Sequence, residues 1–342
     1  MIRKTFRFMF CFLFSIAILI ACATVPSPRG LVSIAYDTES DRVILFGGMT
    51  GDYDSDYINY DETWAYDLTA NQWTLMKPPS VPKGRSDAEL AYDVESDRVI
   101  LFGGGADDIF WGDEWAYDYN MNTWMEIAKG PNNRFGTSIA YDAQSDRIIL
   151  FGGWGMNMGG FLFNDTWAYD FNSDTWTEMK PSTSPPTRNN HAMAYDSKAD
   201  RVLVWGGTDL DGKPVDFSIW SYDFNTNIWQ EMISGQPHPS GRDYPGMVYD
   251  AESDRTILFG GELAGESYGE IWAYDYNTNT WTKFESSTSP GYRSRQGLVY
   301  SSAADRVILF GGQVESTEPK YSNETWTYDL NTNTWTNMTS YP

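Results

Sequence analysis

A pair of adjacent glycines recurs six times along this 342-residue chain, and each pair ends the same pattern of residues. An arginine lies seven residues ahead of a tyrosine, a second arginine follows that tyrosine by six residues, and the glycines begin five residues later. Two tryptophans nine residues apart close each unit. A period of about 50 residues with this content predicts repeated sheet units packed around an axis. The glycine pairs are Gly47-Gly48, Gly103-Gly104, Gly152-Gly153, Gly206-Gly207, Gly260-Gly261 and Gly311-Gly312.

The third unit shows how each repeat is predicted to fold. Strands A, B, C and D are expected at residues 134–141, 147–151, 165–169 and 175–179, with polar turns between A and B and between C and D. Residues 148–151 of strand B are all apolar, and successive side chains of a strand point to opposite sides, so both faces of this strand are apolar. Both faces must then be covered, which a small sheet between two identical neighbours achieves. The unit is therefore predicted to be a propeller blade.

The N-terminus has the features of an export signal. Three basic residues precede an apolar run over residues 8–21, which has the length of a signal-peptide core and is too short to span a membrane comfortably. The run ends in Leu19-Ile20-Ala21-Cys22, which resembles a lipobox. We expect residues 1–21 to be a lipoprotein signal peptide, Cys22 to carry the lipid, and residues 22–28 to form a tether. Ordinary cleavage after residues 21–23, giving a secreted protein, is the alternative.

Charge and cysteine content limit the possible chemistry. The formal net charge is −23, and removal of residues 1–21 takes away three positive charges and no negative one, which leaves about −26. So acidic a surface repels nucleic acid. Cys11 lies inside the signal, so the mature chain has Cys22 alone and no disulfide or thiolate metal site. We expect no metal, no cofactor and a monomer.

With these repeats the chain resembles the kelch-repeat family over roughly residues 29–338. The resemblance implies an all-β, six-bladed propeller of four-stranded antiparallel blades, with strand A nearest the axis. The last unit ends with its own strand D, so we expect blades 1 and 6 to be contiguous in sequence, without strand exchange. The predicted blades span about residues 29–80, 81–130, 131–183, 184–237, 238–289 and 290–342.

The B–C connections are the predicted binding loops. The A–B and C–D turns are uniform in length, whereas the distance from the second glycine to the first tryptophan varies between 11 and 16 residues. Variable loops on a constant scaffold are a usual place for binding. Their aromatic side chains suit contact with a protein or a glycan, although they could equally cap the blades. The candidates are Tyr53, Tyr57, Trp111, Trp154, Phe161 and Phe163.

The arginine that precedes each strand A has two interpretations. Six arginines in a ring could bind an anion, but an acidic residue lies two positions before the first tryptophan in five units. We favour an internal arginine–carboxylate pair. Unit four has Ser218 at the acidic position, so Arg188 is expected to be freer. If a polar ligand lies at the hub, the candidates are Asp87, Glu89, Arg188, Asn190, His191 and Arg295.

The C–D turns contain Asp-x-Asn-x-Asn, as at Asp223, Asn225 and Asn227. This pattern echoes the first ligands of an EF-hand loop, but the glycine and the distant glutamate of that loop are absent. Hydrogen-bonded Asx turns explain the same residues without a metal.

Two kelch enzymes provide comparisons for function. Galactose oxidase requires two histidines and a cysteine-linked tyrosine at copper, and this chain has only His191, His238 and the predicted lipid cysteine, so that chemistry is excluded. The bacterial sialic acid mutarotase is also an exported six-bladed kelch protein, and acid–base groups at the hub could serve such a reaction. We expect a non-catalytic propeller, lipid-anchored in the cell envelope, that binds a protein or glycan through its B–C loop face. A sugar-acting enzyme of the mutarotase kind is the alternative.

Overall fold

Six antiparallel sheets follow one another along the chain, each with four strands in the order A-B-C-D, and the second sheet has a short fifth strand beside strand B. The structure is a computed structural model, and it describes residues 25–51, 58–107, 109–155, 160–314 and 320–339. The predicted all-β six-bladed propeller is confirmed. In the part of the chain so described, no helix is long and apolar enough to cross a membrane.

The blade strands have nearly constant bounds. The A strands are Ser33–Asp37, Ser86–Asp93, Ser138–Asp142, Asn189–Asp196, Gly246–Asp250 and Gly297–Ser301. The B strands are Arg42–Phe46, Arg98–Ala106, Arg147–Phe151, Arg201–Thr208, Arg255–Phe259 and Arg306–Phe310. The C strands are Thr63–Asp67, Glu114–Asp118, Thr166–Asp170, Ile219–Asp223, Ile271–Asp275 and Thr325–Asp329. The D strands are Gln72–Met76, Thr123–Ile127, Thr175–Glu178, Ile228–Met232, Thr280–Phe284 and Thr334–Asn337.

Short strands lie in the loops on one face of the propeller. The B–C loops of blades 1, 3 and 5 each form a hairpin with two residues in each strand. The B–C loop of blade 2 adds a short strand to its own blade, and in blade 6 the B–C loop pairs with the D–A loop that leads into that blade. These strands are Met49–Thr50 with Ile58–Asn59, Trp154–Gly155 with Phe161–Leu162, Glu262–Leu263 with Glu266–Ser267, Ile109–Phe110 on blade 2, and Arg293–Ser294 with Gln313–Val314.

The A strands surround the axis. Neighbouring A strands contact each other around the ring, and the first contacts the last. Blade 1 is a single sheet from Ser33 to Met76, and blade 6 is a single sheet from Gly297 to Asn337. The prediction that both blades are contiguous in sequence is therefore confirmed.

Aromatic side chains hold the blades together. The fifth residue of each B strand packs against the strand-D tryptophan of the next blade, as in Phe46 with Trp124, whose ring centroids are 5.2 Å apart. The same contact closes the ring, because Trp73 of blade 1 lies 4.9 Å from Phe310 of blade 6. Trp73 Nε1 also donates to Thr325 Oγ1 at 2.9 Å. The repeated tryptophans are therefore structural.

The turns on the opposite face are held by side-chain hydrogen bonds. Asp223 Oδ1 accepts from the Thr226 N–H at 3.2 Å, and Asn227 Oδ1 accepts from the Tyr222 hydroxyl at 2.9 Å. Asn225 Nδ2 donates to Asp200 Oδ2 of the neighbouring turn at 3.2 Å. These Asx turns account for the Asp-x-Asn-x-Asn pattern without a metal.

Strand A begins later in blade 3 than the sequence pattern indicates. The prediction was residues 134–141, whereas the strand is Ser138–Asp142. Gly136 has a left-handed φ of 60°, which interrupts the extended chain, and Phe135 bridges to Trp154 instead. Gly136 and Thr137, which lie between the arginine and strand A, line the hub.

Candidate functional site

Each of the six repeated arginines anchors its own glycine pair. In blade 1, the buried Arg29 donates from Nη1 to the Gly47 carbonyl at 3.1 Å and pairs with Glu62 Oε2 at 2.7 Å. The same carboxylate accepts from Trp64 Nε1 at 2.9 Å. The equivalent pairs are Arg85–Asp113, Arg134–Asp165, Arg242–Glu270 and Arg293–Glu324. The predicted internal pairing is therefore present in all five of these blades.

Blade 4 corrects the prediction that Arg188 is freer than the others. Arg188 is fully buried, and its Nη2 lies 2.6 Å from Asp216 Oδ2. Asp216 comes four residues before Trp220 and still accepts from its indole N–H at 3.2 Å. Ser218 instead donates to Glu231 at 2.8 Å. The loop of blade 4 thus supplies the carboxylate from an earlier position. Arg188 does not line the small cavity that lies on the propeller axis.

Aromatic residues of the B–C loops cover these arginines. The Arg29, Arg134 and Arg242 guanidinium groups each lie 3.7 Å from a ring centroid, over Tyr60, Phe163 and Tyr268 respectively. In blade 2, Trp111 lies 5.4 Å from the Arg85 guanidinium and 4.8 Å from Lys83 Nζ. Two loop-face candidates, Trp111 and Phe163, thus have a partner within the scaffold.

The residue two positions after each repeated arginine has a left-handed backbone. Its φ lies between 49° and 60° in all six blades. Leu31 N donates to Arg295 O at 2.8 Å, and Asp87 N donates to Leu31 O at 3.1 Å, so these residues link neighbouring blades. This conformation is unfavourable for residues such as leucine and tyrosine, and it persists where the surrounding structure imposes it. The six residues, called the hub ring below, are Leu31, Asp87, Gly136, Asn190, Tyr244 and Arg295.

A cavity of about 80 Å³ lies on the axis inside the hub ring. All six hub-ring residues line it, together with residues that follow them by one or two positions. The structure therefore brings together five of the six predicted hub candidates, namely Asp87, Glu89, Asn190, His191 and Arg295. Whether they bind a ligand stays a prediction.

The carboxylates at the hub are poorly compensated. Burial raises the pKa of Asp87 to about 6, although Arg295 opposes the shift. Burial and the neighbouring Asp87 raise the pKa of Glu89 well above its usual range. At the rim, burial also raises the pKa of Asp243 to about 6, with Glu262 contributing. A buried carboxyl with a raised pKa lacks a sufficient cationic or hydrogen-bonding partner.

His191 is neutral, and only a weak interaction with the Phe151 carbonyl opposes the lowering of its pKa. It is 5% exposed, and burial with the nearby Arg188 charge lowers its pKa to about 3. Neither ring nitrogen makes a hydrogen bond of normal geometry, and Asn190 Oδ1 and Gln296 Oε1, on residues that line the same cavity, have no partner. Unsatisfied buried polar atoms are rare in native proteins. Their concentration around one cavity indicates room for a hydrogen-bonding ligand or water.

Arg295 is held at the rim of the same cavity. Its Nη2 lies 2.8 Å from Glu262 Oε1, and its guanidinium lies 4.6 Å from the Tyr244 ring centroid. Ser294 Oγ donates to the other Glu262 oxygen at 2.6 Å. Arg295 is therefore already paired on one side.

The other end of the axis is apolar. A channel of about 340 Å³ opens toward the A–B turns and is lined by aliphatic and tyrosine side chains from all six A strands, such as Ile34, Leu90 and Met193. Polar chemistry along the axis is thus concentrated at the end that the B–C loops surround.

An aromatic cluster adjoins the hub on the loop face. Phe110 stacks on Phe135 with centroids 4.6 Å apart, and Trp154 meets Phe135 edge-on at 5.0 Å. Phe161 packs against Phe163 at 4.6 Å. All five rings are half-buried. Of the remaining candidates, Tyr53, Tyr57 and Cys22 lie outside the described residues.

Sequence reasoning missed Phe135, Asp243, Tyr244 and Glu262. The signal that could have found them is their constant offset: Phe135 and Asp243 directly follow a repeated arginine, Tyr244 comes one residue later, and Glu262 directly follows a glycine pair.

Comparison with known proteins places these observations in a family. Residues 15–198 and 182–341 match the KLHDC2/KLHL20/DRC7 Kelch-repeats domain. The chain is 25% identical over 266 residues to Kelch domain-containing protein 10 of Rattus norvegicus and of Homo sapiens, which covers 72% of this chain and 62% and 58% of those proteins. It is 25% identical over 298 residues to Adagio-like protein 1 of Oryza sativa subsp. japonica, covering 80% of this chain and 46% of that protein. The chain thus spans about three fifths of its first relatives or less.

The pairing in blade 4 can be tested by mutation. We expect Asp216→Ala to destabilise the protein by about 3–5 kcal/mol, because it leaves Arg188 buried without a counter-charge. Ser218→Ala, at the position that the repeat pattern favours, should change stability by less than about 0.5 kcal/mol. Urea unfolding measures both. Equal effects of the two changes would contradict the assignment of Asp216 as the partner.

A second prediction concerns Asp87 and pH. Its pKa is raised in the folded state, so the folded protein binds this proton more tightly than the unfolded chain does, and the carboxyl progressively destabilises the fold as pH rises from about 4 to 6. We expect Asp87→Asn to stabilise the protein by about 1–2 kcal/mol at pH 7, with the gain shrinking toward pH 4. Asparagine also tolerates the left-handed φ. Thermal unfolding at both pH values provides the check, and a gain independent of pH would refute the explanation.

Proposed function

The chain belongs to the kelch-repeat family, and on this basis we propose that it is an extracytoplasmic, lipid-anchored propeller that binds a protein partner on its B–C loop face. Kelch propellers generally mediate protein interactions, which supports the partner class. The anchor is inferred from the basic and apolar N-terminus that leads to Cys22. The activities of the longer relatives are not carried over, because the chain matches only part of their length.

The observation that carries the proposal is the apolar character of the loop face. Besides the half-buried aromatic cluster, the B–C loops expose Ile58, Ile109, Leu210 and Phe217 by 51–64%. Exposed apolar side chains that gather on one face of a protein are typical of interaction surfaces. Polar turns fixed by internal hydrogen bonds dominate the opposite face, although Val94 and Met121 are exposed there.

The sugar-acting alternative has less support. The polar hub would suit acid–base chemistry, but its cavity of about 80 Å³ is well below the roughly 300 Å³ at which small-molecule sites begin. Arg188, one of the groups proposed for that chemistry, is buried in its pair with Asp216. Binding without catalysis is therefore the better-supported proposal.

The loop face can be tested by matched substitutions. We expect the triple change Ile109→Ser, Trp154→Ala and Phe161→Ala to weaken partner capture at least tenfold, because anchors of this kind contribute most of the binding energy. Trp111 is left intact because it packs on Lys83 and Arg85.

The control for this test is Val94→Ser with Met121→Ser on the turn face. Capture is measured by in-cell crosslinking and mass spectrometry, followed by titration of the partner identified, and circular dichroism checks folding. Equal capture by both variants would refute the loop-face proposal.

The anchor has a separate test. We expect Cys22→Ser to move the protein from the membrane fraction to the soluble fraction. Serine has no thiol to carry the lipid, whereas residues 21–23 still fit ordinary signal cleavage, which would release the chain. Mass spectrometry of the mature N-terminus should show a diacylglyceryl-modified Cys22 in the parent protein. An unmodified N-terminus after residue 23 would instead establish secretion.

A further inference from the structure

The hub cavity has unmet hydrogen-bonding capacity that consists mostly of acceptors. Gln296 Nε2 donates to the Phe259 carbonyl at 3.1 Å, so its free Oε1 is an acceptor. Asn190 Oδ1 is another, and the neutral His191 ring offers one more lone pair. No hydrogen-bond donor contacts the Glu89 carboxylate among the described residues. The open donors there are Arg295 Nε and one His191 nitrogen.

The charges around the cavity have the same bias. Asp87 and Glu89 line it, and Asp243 and Glu262 stand at its rim beside the hub ring. Arg295 is the one cation among the described residues that line the cavity, and Glu262 already pairs with it. Arg188 lies behind His191 and is compensated by Asp216. An anion would therefore add to an existing excess of negative charge, whereas a cation would relieve it.

The volume of the cavity and its hydrogen-bond acceptors narrow the choice of cation. A volume of about 80 Å³ accommodates the end of a side chain but not a sugar ring. The described residues contain no group of three or more His, Cys, Asp and Glu suited to a metal ion. Several neutral amide and imidazole acceptors beside carboxylates match a group with several N–H donors, which lysine and arginine side chains possess.

We propose that the hub cavity binds the ammonium or guanidinium head of one lysine or arginine side chain, presented by the protein partner on the loop face. The inference rests on the proposed function, because that partner delivers the side chain. The nine-tenths-buried His191 makes no hydrogen bond of normal geometry through either ring nitrogen, and it is the observation independent of the acidic residues that points to a ligand.

The test uses simple probes on residues 24–342, which lack the predicted signal peptide and the lipid cysteine, in calorimetric titration at pH 7.5 and constant ionic strength. The probes are ethylguanidinium and n-butylammonium, with tetramethylammonium as a cation that lacks N–H donors and n-butanol as a neutral analogue. We expect saturable binding of the first two, and at least tenfold weaker binding of the controls. Equal or stronger binding of tetramethylammonium or n-butanol, or no saturable binding of ethylguanidinium and n-butylammonium, would overturn the assignment.

Substitutions locate the probe. We expect Glu89→Gln to weaken ethylguanidinium binding at least tenfold, and the exposed Glu39→Gln on the turn face to leave it unchanged. Because Glu89→Gln could disturb folding, its circular dichroism is compared with the parent, and His191→Gln, which retains an acceptor, provides a second variant. Unchanged binding in both folded hub variants would refute the hub site.

The source of the cation is tested with blocked tripeptides. Acetyl-Ala-Arg-Ala-amide and acetyl-Ala-Lys-Ala-amide should bind more tightly than the bare probes, whereas tighter binding of putrescine would overturn the choice of a protein side chain in favour of a free amine. Failure of the hub inference is distinguishable from failure of the loop face, because the probes require no partner. Probe binding without an effect of the loop-face variant on capture would contradict only the proposed function.

Discussion

The buried guanidinium beside each glycine pair is the contact on which the ring depends. In every blade, the guanidinium donates to the carbonyl of the first glycine. In five of the six blades, the N–H of the second glycine donates to the backbone carbonyl of the arginine in the next blade. The bond from Gly312 to Arg29 is of this kind and joins the last blade to the first. A side chain on the first glycine would have its Cβ within 2.5–2.9 Å of that carbonyl. Arginine, glycine and carboxylate therefore form a unit in which each member requires the others, since a buried charge without its partner is strongly destabilising.

This unit also determines where the scaffold leaves freedom. The arginine and the strand-A tyrosine are fixed by internal contacts, whereas the residue two positions after the arginine contributes its backbone to the hub ring and its side chain to the cavity. Its identity can vary from blade to blade without loss of the hydrogen bonds that join the blades. Leucine and glycine stand there in blades 1 and 3, while blades 2, 4 and 6 place Asp87, Asn190 and Arg295 on the axis. Chemical asymmetry thus arises within a nearly symmetric backbone.

The fold was predictable because one period repeats its packing constraints six times, and even strand B of blade 3 has the predicted bounds. The site was predictable only in part. Arg188 was misplaced because its acidic partner was sought at a fixed position, whereas Asp216 reaches it from two residues earlier. The covering role of Tyr60, Phe163 and Tyr268 was hidden, because the loops differ in length when counted from the glycines. Counted back from the paired acid, all three occupy the same position, which only the three-dimensional contact makes evident.

The two ends of the axis differ because they meet different parts of strand A. Toward the A–B turns, the strands are extended and regular, so equivalent aliphatic and tyrosine side chains from all blades converge and form an apolar channel. At the opposite end, the left-handed hub ring precedes or begins each strand, and residues outside the regular alternation face the axis. Burial there raises the pKa of carboxyls that have no sufficient partner and keeps His191 neutral. The scaffold pairs each of its six buried arginines with a carboxylate, yet it leaves the hub carboxyls and His191 without sufficient partners. These uncompensated groups lie at the end of the axis that the variable loops surround, which is where a ligand could interact with them.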